Sequence, residues 1–154
     1  MIEKAILIIC ASYHHKNTMD ICKIFIEEMN AVVIEPLDFQ EEMLDEFQLV
    51  GFGSGIYNGK HHNSLLELAG RIKEQNSKKA FVFSTSTVGL KSLHKNLNKI
   101  LFDKGFKLVD EFSCKGFTDY SFTKYFFGGM NKGRPNKKDC NEAKKFAVKL
   151  MRDL

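Results

Sequence analysis

The sequence predicts an α/β domain of three layers: a five-stranded parallel sheet, strand order 2-1-3-4-5, with helices on both faces. Three observations carry this. Short apolar runs alternate with segments of helical period along the whole chain. The runs Ala5–Ile9 and Lys79–Phe83 are apolar at nearly every position, as strands buried on both faces are. Polar, hydroxyl-rich stretches follow the first, third and fourth runs.

The elements follow in order. Lys4–Ala11 reads as the first strand. Thr18–Met29 reads as a helix, with Ile21, Phe25 and Met29 on one stripe. Ala31–Ile34 is a short second strand ended by Pro36, and Asp38–Asp45 is an acidic turn or irregular helix. Phe47–Phe52 is the third strand. Ser64 and Glu67 form the pattern of a capping box, which opens a helix to about Gln75. Lys79–Phe83 is the fourth strand, and Leu90–Lys104 a helix with Leu93, Leu97, Ile100 and Leu101 inward, stopped by Gly105. Phe106–Phe112 is the fifth strand. A long irregular stretch rich in glycine and aromatics, Ser113–Arg134, reads as a lid, a docking surface or a cover for the sheet edge. Pro135-Asn136 then leads a last helix with Ala143, Phe146, Ala147 and Leu150 inward.

A chain of 154 residues makes one domain, 1–154. No apolar run reaches the length of a membrane span, and Met1-Ile2-Glu3-Lys4 does not read as a signal peptide. The expectation is a soluble, cytoplasmic monomer. Cys10, Cys22, Cys114 and Cys140 share no C-x-x-C spacing and read as reduced thiols. The net charge of +4 hides an asymmetry: residues 1–77 carry 6 Lys/Arg against 12 Asp/Glu, and residues 78–154 carry 17 against 7. A basic half can attract nucleic acid or an acidic protein. Many of its lysines, such as Lys91, Lys95 and Lys99, have helix-surface spacing, so a solvated face is the expectation and nucleic acid is not.

In a doubly wound sheet the turns after strands one, three and four leave the same edge. The first is Cys10–Thr18, where a helix start offers free N–H groups and the positive end of its dipole to an anion. Ser12, Asn17 and Thr18 add donors and Lys16 a charge, although Asn17 or Thr18 alone would also serve as a helix cap. Neither G-x-G-x-x-G nor G-x-x-x-x-G-K-[ST] is present, so a smaller phosphate monoester fits better than a dinucleotide or nucleoside triphosphate. The second loop, Gly53-Ser54-Gly55-Ile56-Tyr57-Asn58-Gly59-Lys60, offers close backbone approach and one exposed aromatic, Tyr57. The third, Ser84-Thr85-Ser86-Thr87-Val88-Gly89, is a run of donors.

Taken together, these residues resemble the flavodoxin family. Its members carry S-x-T-G-N-T in the first loop, or S-x-H-H-G-N-T in some relatives. Ser12-Tyr13-His14-His15-Lys16-Asn17-Thr18 is similar to the second form, with Lys16 in the place of glycine. The segments 53–59 and 84–89 are similar to that family's two flavin-ring loops, and Gly128–Asn136 is similar to a stretch of clostridial-type relatives. The resemblance implies non-covalent FMN. Ser12, His14, His15, Lys16, Asn17 and Thr18 would lie on the phosphate side, and Tyr57 would stack on the ring. Ser54, Gly55, Ile56, Asn58 and Gly59 would flank the ring, with the Asn58-Gly59 peptide turned to its N5. Ser84, Thr85, Ser86, Thr87 and Gly89 would meet the pyrimidine side.

His14-His15 and His61-His62 sit on loops expected to face each other. Adjacent histidines seldom both reach one metal, and no cysteine or carboxylate cluster joins them, so no metal is expected. His94 is expected on a helix surface. With no catalytic dyad evident, the expected function is a low-potential electron carrier with redox partner proteins. The alternatives are an FMN-dependent NAD(P)H or quinone reductase of the same fold, and a non-redox module for a phosphate ligand.

Overall fold

The computed structural model describes residues 5–12, 17–116 and 133–154. Strand β1 (Ile6–Ala11) is buried along its whole length and lies in the interior of the sheet. Helix α1 (Asn17–Met29) follows, then β2 (Val32–Ile34), two 3-10 turns (Pro36–Asp38 and Glu41–Asp45), and β3 (Leu49–Tyr57). Short strand β4 (Lys60–His61), helix α2 (Asn63–Arg71) and strand β5 (Lys79–Ser86) come next. A 3-10 turn (Lys91–His94), helix α3 (Lys95–Asp103), strand β6 (Lys107–Lys115) and helix α4 (Lys137–Arg152) complete the described order. The sheet order is β2-β1-β3-β5-β6, and those pairs are all parallel. Leaving out β4, this is the expected 2-1-3-4-5 path.

Alternation along the strands sends side chains to two cores. Ile6, Ile8 and Cys10 join Phe25 of α1 and Phe146 of α4 on one face. Leu7, Ile9 and Phe52 join Leu65 of α2 and Leu97 of α3 on the other. Phe25 meets Phe83 and Phe81 edge-on, with centroids 5.1 and 5.9 Å away. The rings of Phe81 and Phe83 are accommodated by glycines on β3. A Cβ at Gly51 would lie 2.3 Å from Phe81 Cζ, and one at Gly53 would lie 2.2 Å from Phe83 Cζ. Gly53 therefore serves core packing, whereas a ligand-facing loop was the expectation.

Several boundaries differ from expectation. The third strand continues through Gly53-Ser54-Gly55 to Tyr57, because β4 pairs back on it antiparallel. The fourth and fifth strands likewise run on to Ser86 and Lys115. The capping box at Ser64 and Glu67 does not form. His62 is the cap: its Nδ1 accepts from the Ser64 amide at 3.1 Å and from the Ser64 hydroxyl at 2.8 Å. Helix α2 stops at Arg71 rather than near Gln75. The last helix does carry a capping box, made by Asn136 and Asp139. Asp139 also takes two bonds from the Arg134 guanidinium, at 2.5 and 2.8 Å. Burial would raise the Asp139 carboxyl, but Arg134 and the Asn136 amide outweigh it and hold it below the ordinary value. Most of the expected irregular stretch, residues 117–132, lies outside the described residues.

Candidate functional site

The parallel sheet brings the carboxyl ends of β1, β3 and β5 to one edge, with Ala11 opposite Ser54 and Ser54 opposite Ser84. From the first loop, Ser12 accepts a hydrogen bond from the Met19 amide at 3.2 Å, which ties the strand end to the first turn of α1. Asn17 opens α1 and lies against Gly116, where a Cβ would come within 2.7 Å of Asn17 Nδ2. The Thr18 hydroxyl is 2.8 Å from that of Thr85. This contact joins the first loop to the hydroxyl run of β5. In such a pair one hydrogen is used internally and the other remains to be donated. His14, His15 and Lys16 lie outside the described residues.

The second loop is a hairpin. Tyr57 pairs with Lys60, and Asn58 and Gly59 have φ of 53° and 79°. Two positive φ values in a two-residue loop mark a type I′ turn, for which Asn-Gly is the preferred sequence. The Tyr57 ring folds back over Gly55 and meets His62 edge-on at 5.3 Å. Ser54 faces inward. It donates to the Gly55 carbonyl at 2.6 Å and accepts from the His62 amide at 3.0 Å, bracing the hairpin.

In the third stretch the Ser86 hydroxyl accepts from the Gly89 amide at 2.7 Å. Gly89, with φ of 63°, turns the chain against Cys114 and Lys115. Between this turn and the hairpin lies a cleft of about 530 Å³. Its walls are Ile56, Tyr57, Asn58 and Gly59 on one side and Ser86, Thr87, Val88 and Leu93 on the other. That size falls within the roughly 300–1,000 Å³ of sites for small molecules and cofactors. Val88 belongs to the expected third loop but was not expected at the ligand, and Leu93, expected inward on a helix, is a half-buried wall residue.

Ser84 is fully buried, so its hydroxyl enters the site as a support for the cleft wall and not as a surface contact. It donates to His94 Nε2 at 2.7 Å, while His94 Nδ1 donates to the Glu111 carboxylate at 2.8 Å. Asn98 donates to the same carboxylate oxygen. His94 is thus a core residue, against the expected surface position. The segment around it is a 3-10 turn that swings the imidazole between β5 and β6. A signal was present: His94, Leu97 and Leu101 share helical spacing, which puts the histidine on the apolar stripe. His61 is also buried, with its ring centroid 5.0 Å from that of His94. Its Nε2 donates to the Phe83 carbonyl at 3.2 Å, and its Nδ1 has no hydrogen-bond partner among the described residues. Burial pushes the His61 imidazole down to about 3, helped by its proximity to His94 and opposed by the Phe83 carbonyl. Burial also lowers His94, against the pull of Glu111. The adjacent histidines therefore diverge: His61 fills the core and His62 caps a helix.

A family model described as flavodoxin domain matches residues 7–150. The chain belongs to the flavodoxin family. Uncharacterized protein MJ0298 of Methanocaldococcus jannaschii is 43% identical over 149 residues, which cover 96% of this chain and 98% of that one. Among solved structures, the fold is similar to oxidised flavodoxin 2 from Bacillus cereus, with a TM-score of 0.73, 16% identity, and coverage of 97% of this chain and 99% of that one. It is also similar to a Fusobacterium nucleatum flavodoxin bound to flavin mononucleotide, with a TM-score of 0.67, 15% identity, and 99% of each chain covered. Among the described residues no helix is long and apolar enough to cross a membrane.

Proposed function

We propose that this chain, as a single cytoplasmic domain, binds FMN non-covalently and works as a monomeric, low-potential electron carrier between redox partner proteins. The observation that carries the reading is the convergence at one sheet edge. The Thr18–Thr85 hydroxyl contact ties the start of α1 to β5, and the cleft opens beside β5 between the hairpin and the Ser86–Gly89 turn. Bound there, FMN supplies reversible electron uptake.

The chain's own groups divide the work. The first loop, Ser12 to Thr18, offers the helix start and its donors to the phosphate. Tyr57 would pack against the ring, and the backbone at Asn58-Gly59 and Thr87–Gly89 would meet its polar edges. Ser54 and Ser84 hold the two walls from beneath, through His62 and His94. Burial holds the His94 imidazole toward its neutral form, which disfavours a charge under that wall. The fit to flavodoxin neighbours, one of them bound to flavin mononucleotide, supports this reading.

The test is the visible spectrum of the freshly purified protein, with mass analysis of the small molecule released on denaturation. A flavin spectrum and the mass of FMN are expected. A colourless protein that takes up no flavin would leave the non-redox alternative.

A further inference from the structure

Among the described residues, three lysines stand next to the walls of the cleft. Lys60 stands opposite Tyr57 in the hairpin ladder. Lys91 is exposed on the turn between Leu90 and the wall residue Leu93. Lys115 ends β6 opposite Ser86, and a Cβ at Gly89 would lie 3.2 Å from its Cγ. The three lysines thus come from three elements: the hairpin, the 3-10 turn and the end of β6. Asp110, Glu111 and Glu142 line a neighbouring groove with Lys91, and each has another partner; Glu142 lies 3.8 Å from Lys145 Nζ. Asp110 is 3.3 Å from Lys149 Nζ, and Glu111 is held by His94 and Asn98. None of the ion pairs formed among the described residues uses Lys60, Lys91 or Lys115. Near these lysines Val88 and Leu90 are 51% and 53% exposed.

An apolar centre with a charged rim is the anatomy of a transient protein interface, in which the centre excludes water and the rim steers the encounter. A nucleic-acid track would need cations spaced along a strand, and a membrane-binding face a denser basic cluster. Electron transfer from a small cofactor also requires the partner at the cleft mouth. We propose that this rim is the docking surface for the redox partner, and that the partner presents an acidic face. The proposal rests on the FMN reading.

The test uses FMN-loaded protein, photoreduced without oxygen and mixed in a stopped-flow instrument with one of two small oxidants. Each takes one electron: anionic hexacyanoferrate(III) becomes hexacyanoferrate(II), and cationic hexaammineruthenium(III) becomes ruthenium(II). Raising salt from 0.01 to 0.1 M shortens the screening length from about 30 to about 10 Å. Oxidation by hexacyanoferrate should then slow roughly three- to tenfold, and oxidation by the ruthenium complex should quicken. The triple variant Lys60→Glu, Lys91→Glu, Lys115→Glu should reverse both slopes. The triple variant Lys104→Glu, Lys107→Glu, Lys144→Glu, with the same change in net charge away from the cleft, should keep them. Plant-type ferredoxin, an acidic protein, should shield the wild-type flavin from hexacyanoferrate, and basic cytochrome c should not.

Equal salt slopes in the two triple variants would overturn the docking surface while leaving FMN binding intact. Shielding by polyuridylate or phosphatidylserine vesicles but not by ferredoxin would overturn it in favour of another polyanion. Failure to take up FMN at all would overturn both readings.

Discussion

Acid should weaken the fold through His61. This imidazole is 1% exposed and is held down to about 3, against an ordinary value of 6.5. Its folded value is depressed, so the unfolded chain binds more protons between the two values and stability rises with pH there. The contribution is complete above the unfolded value and is lost as pH falls through 6.5 toward 3. Between pH 8 and pH 5 the loss works out at about 2 kcal/mol, and this holds for any folded value well below 5. His94, lowered in the same direction, adds to it. Urea unfolding at both pH values measures the loss, which at a slope of about 1–3 kcal/mol/M shifts the midpoint by roughly 1 M. His61→Gln keeps a donor for the Phe83 carbonyl but does not titrate. The variant should lose about 2 kcal/mol less than wild type over the same interval. Equal losses in the two proteins would refute the reasoning, because His61 would then titrate as an exposed histidine does.

Three further outcomes follow from particular contacts. Gly53→Ala would drive a methyl into the Phe83 ring, since its Cβ would sit 2.2 Å from Phe83 Cζ. It should destabilise by about 1–3 kcal/mol in urea titrations, the usual cost of overpacking. Tyr57→Ala should weaken FMN binding by roughly 0.5–1.5 kcal/mol for the aromatic pair, plus the lost apolar burial, read from quenching of flavin fluorescence. Unchanged affinity would place Tyr57 off the ring. Asn136→Ala removes the side-chain acceptor of the Asp139 amide, 3.0 Å away, and should lower the urea midpoint by the equivalent of about 1 kcal/mol.

The fold was legible because burial on both faces leaves a plain mark: β1 is apolar at every position, and the helices carry single stripes. The ends of β3 and β5 were harder to read. Gly53-Ser54-Gly55 and Ser84-Thr85-Ser86 have turn-like composition, yet they stay in the sheet. Glycine there makes room for Phe83, and the serines bond inward, which only the neighbouring strands reveal. The cap of α2 was misplaced for a related reason. Ser64 and Glu67 have the spacing of a capping box, but the hairpin delivers His62 to the helix start first. At the site, the convergence of three strand ends followed from topology alone. The buried network of Ser84, His94 and Glu111 did not, because it joins β5, a 3-10 turn and β6 across long separations in sequence. The type I′ hairpin at Asn58-Gly59 was open to reading from its Asn-Gly pair.

The central claim is that this edge of the sheet holds FMN by its phosphate as well as its ring. Titrating the apoprotein with FMN and with riboflavin, followed by flavin fluorescence, tests it most directly. Charge-assisted hydrogen bonds to the phosphate are worth about 1.5–3 kcal/mol each, so FMN should bind at least roughly tenfold more tightly than riboflavin. Equal affinity for the two flavins, or no quenching of either, would contradict the account.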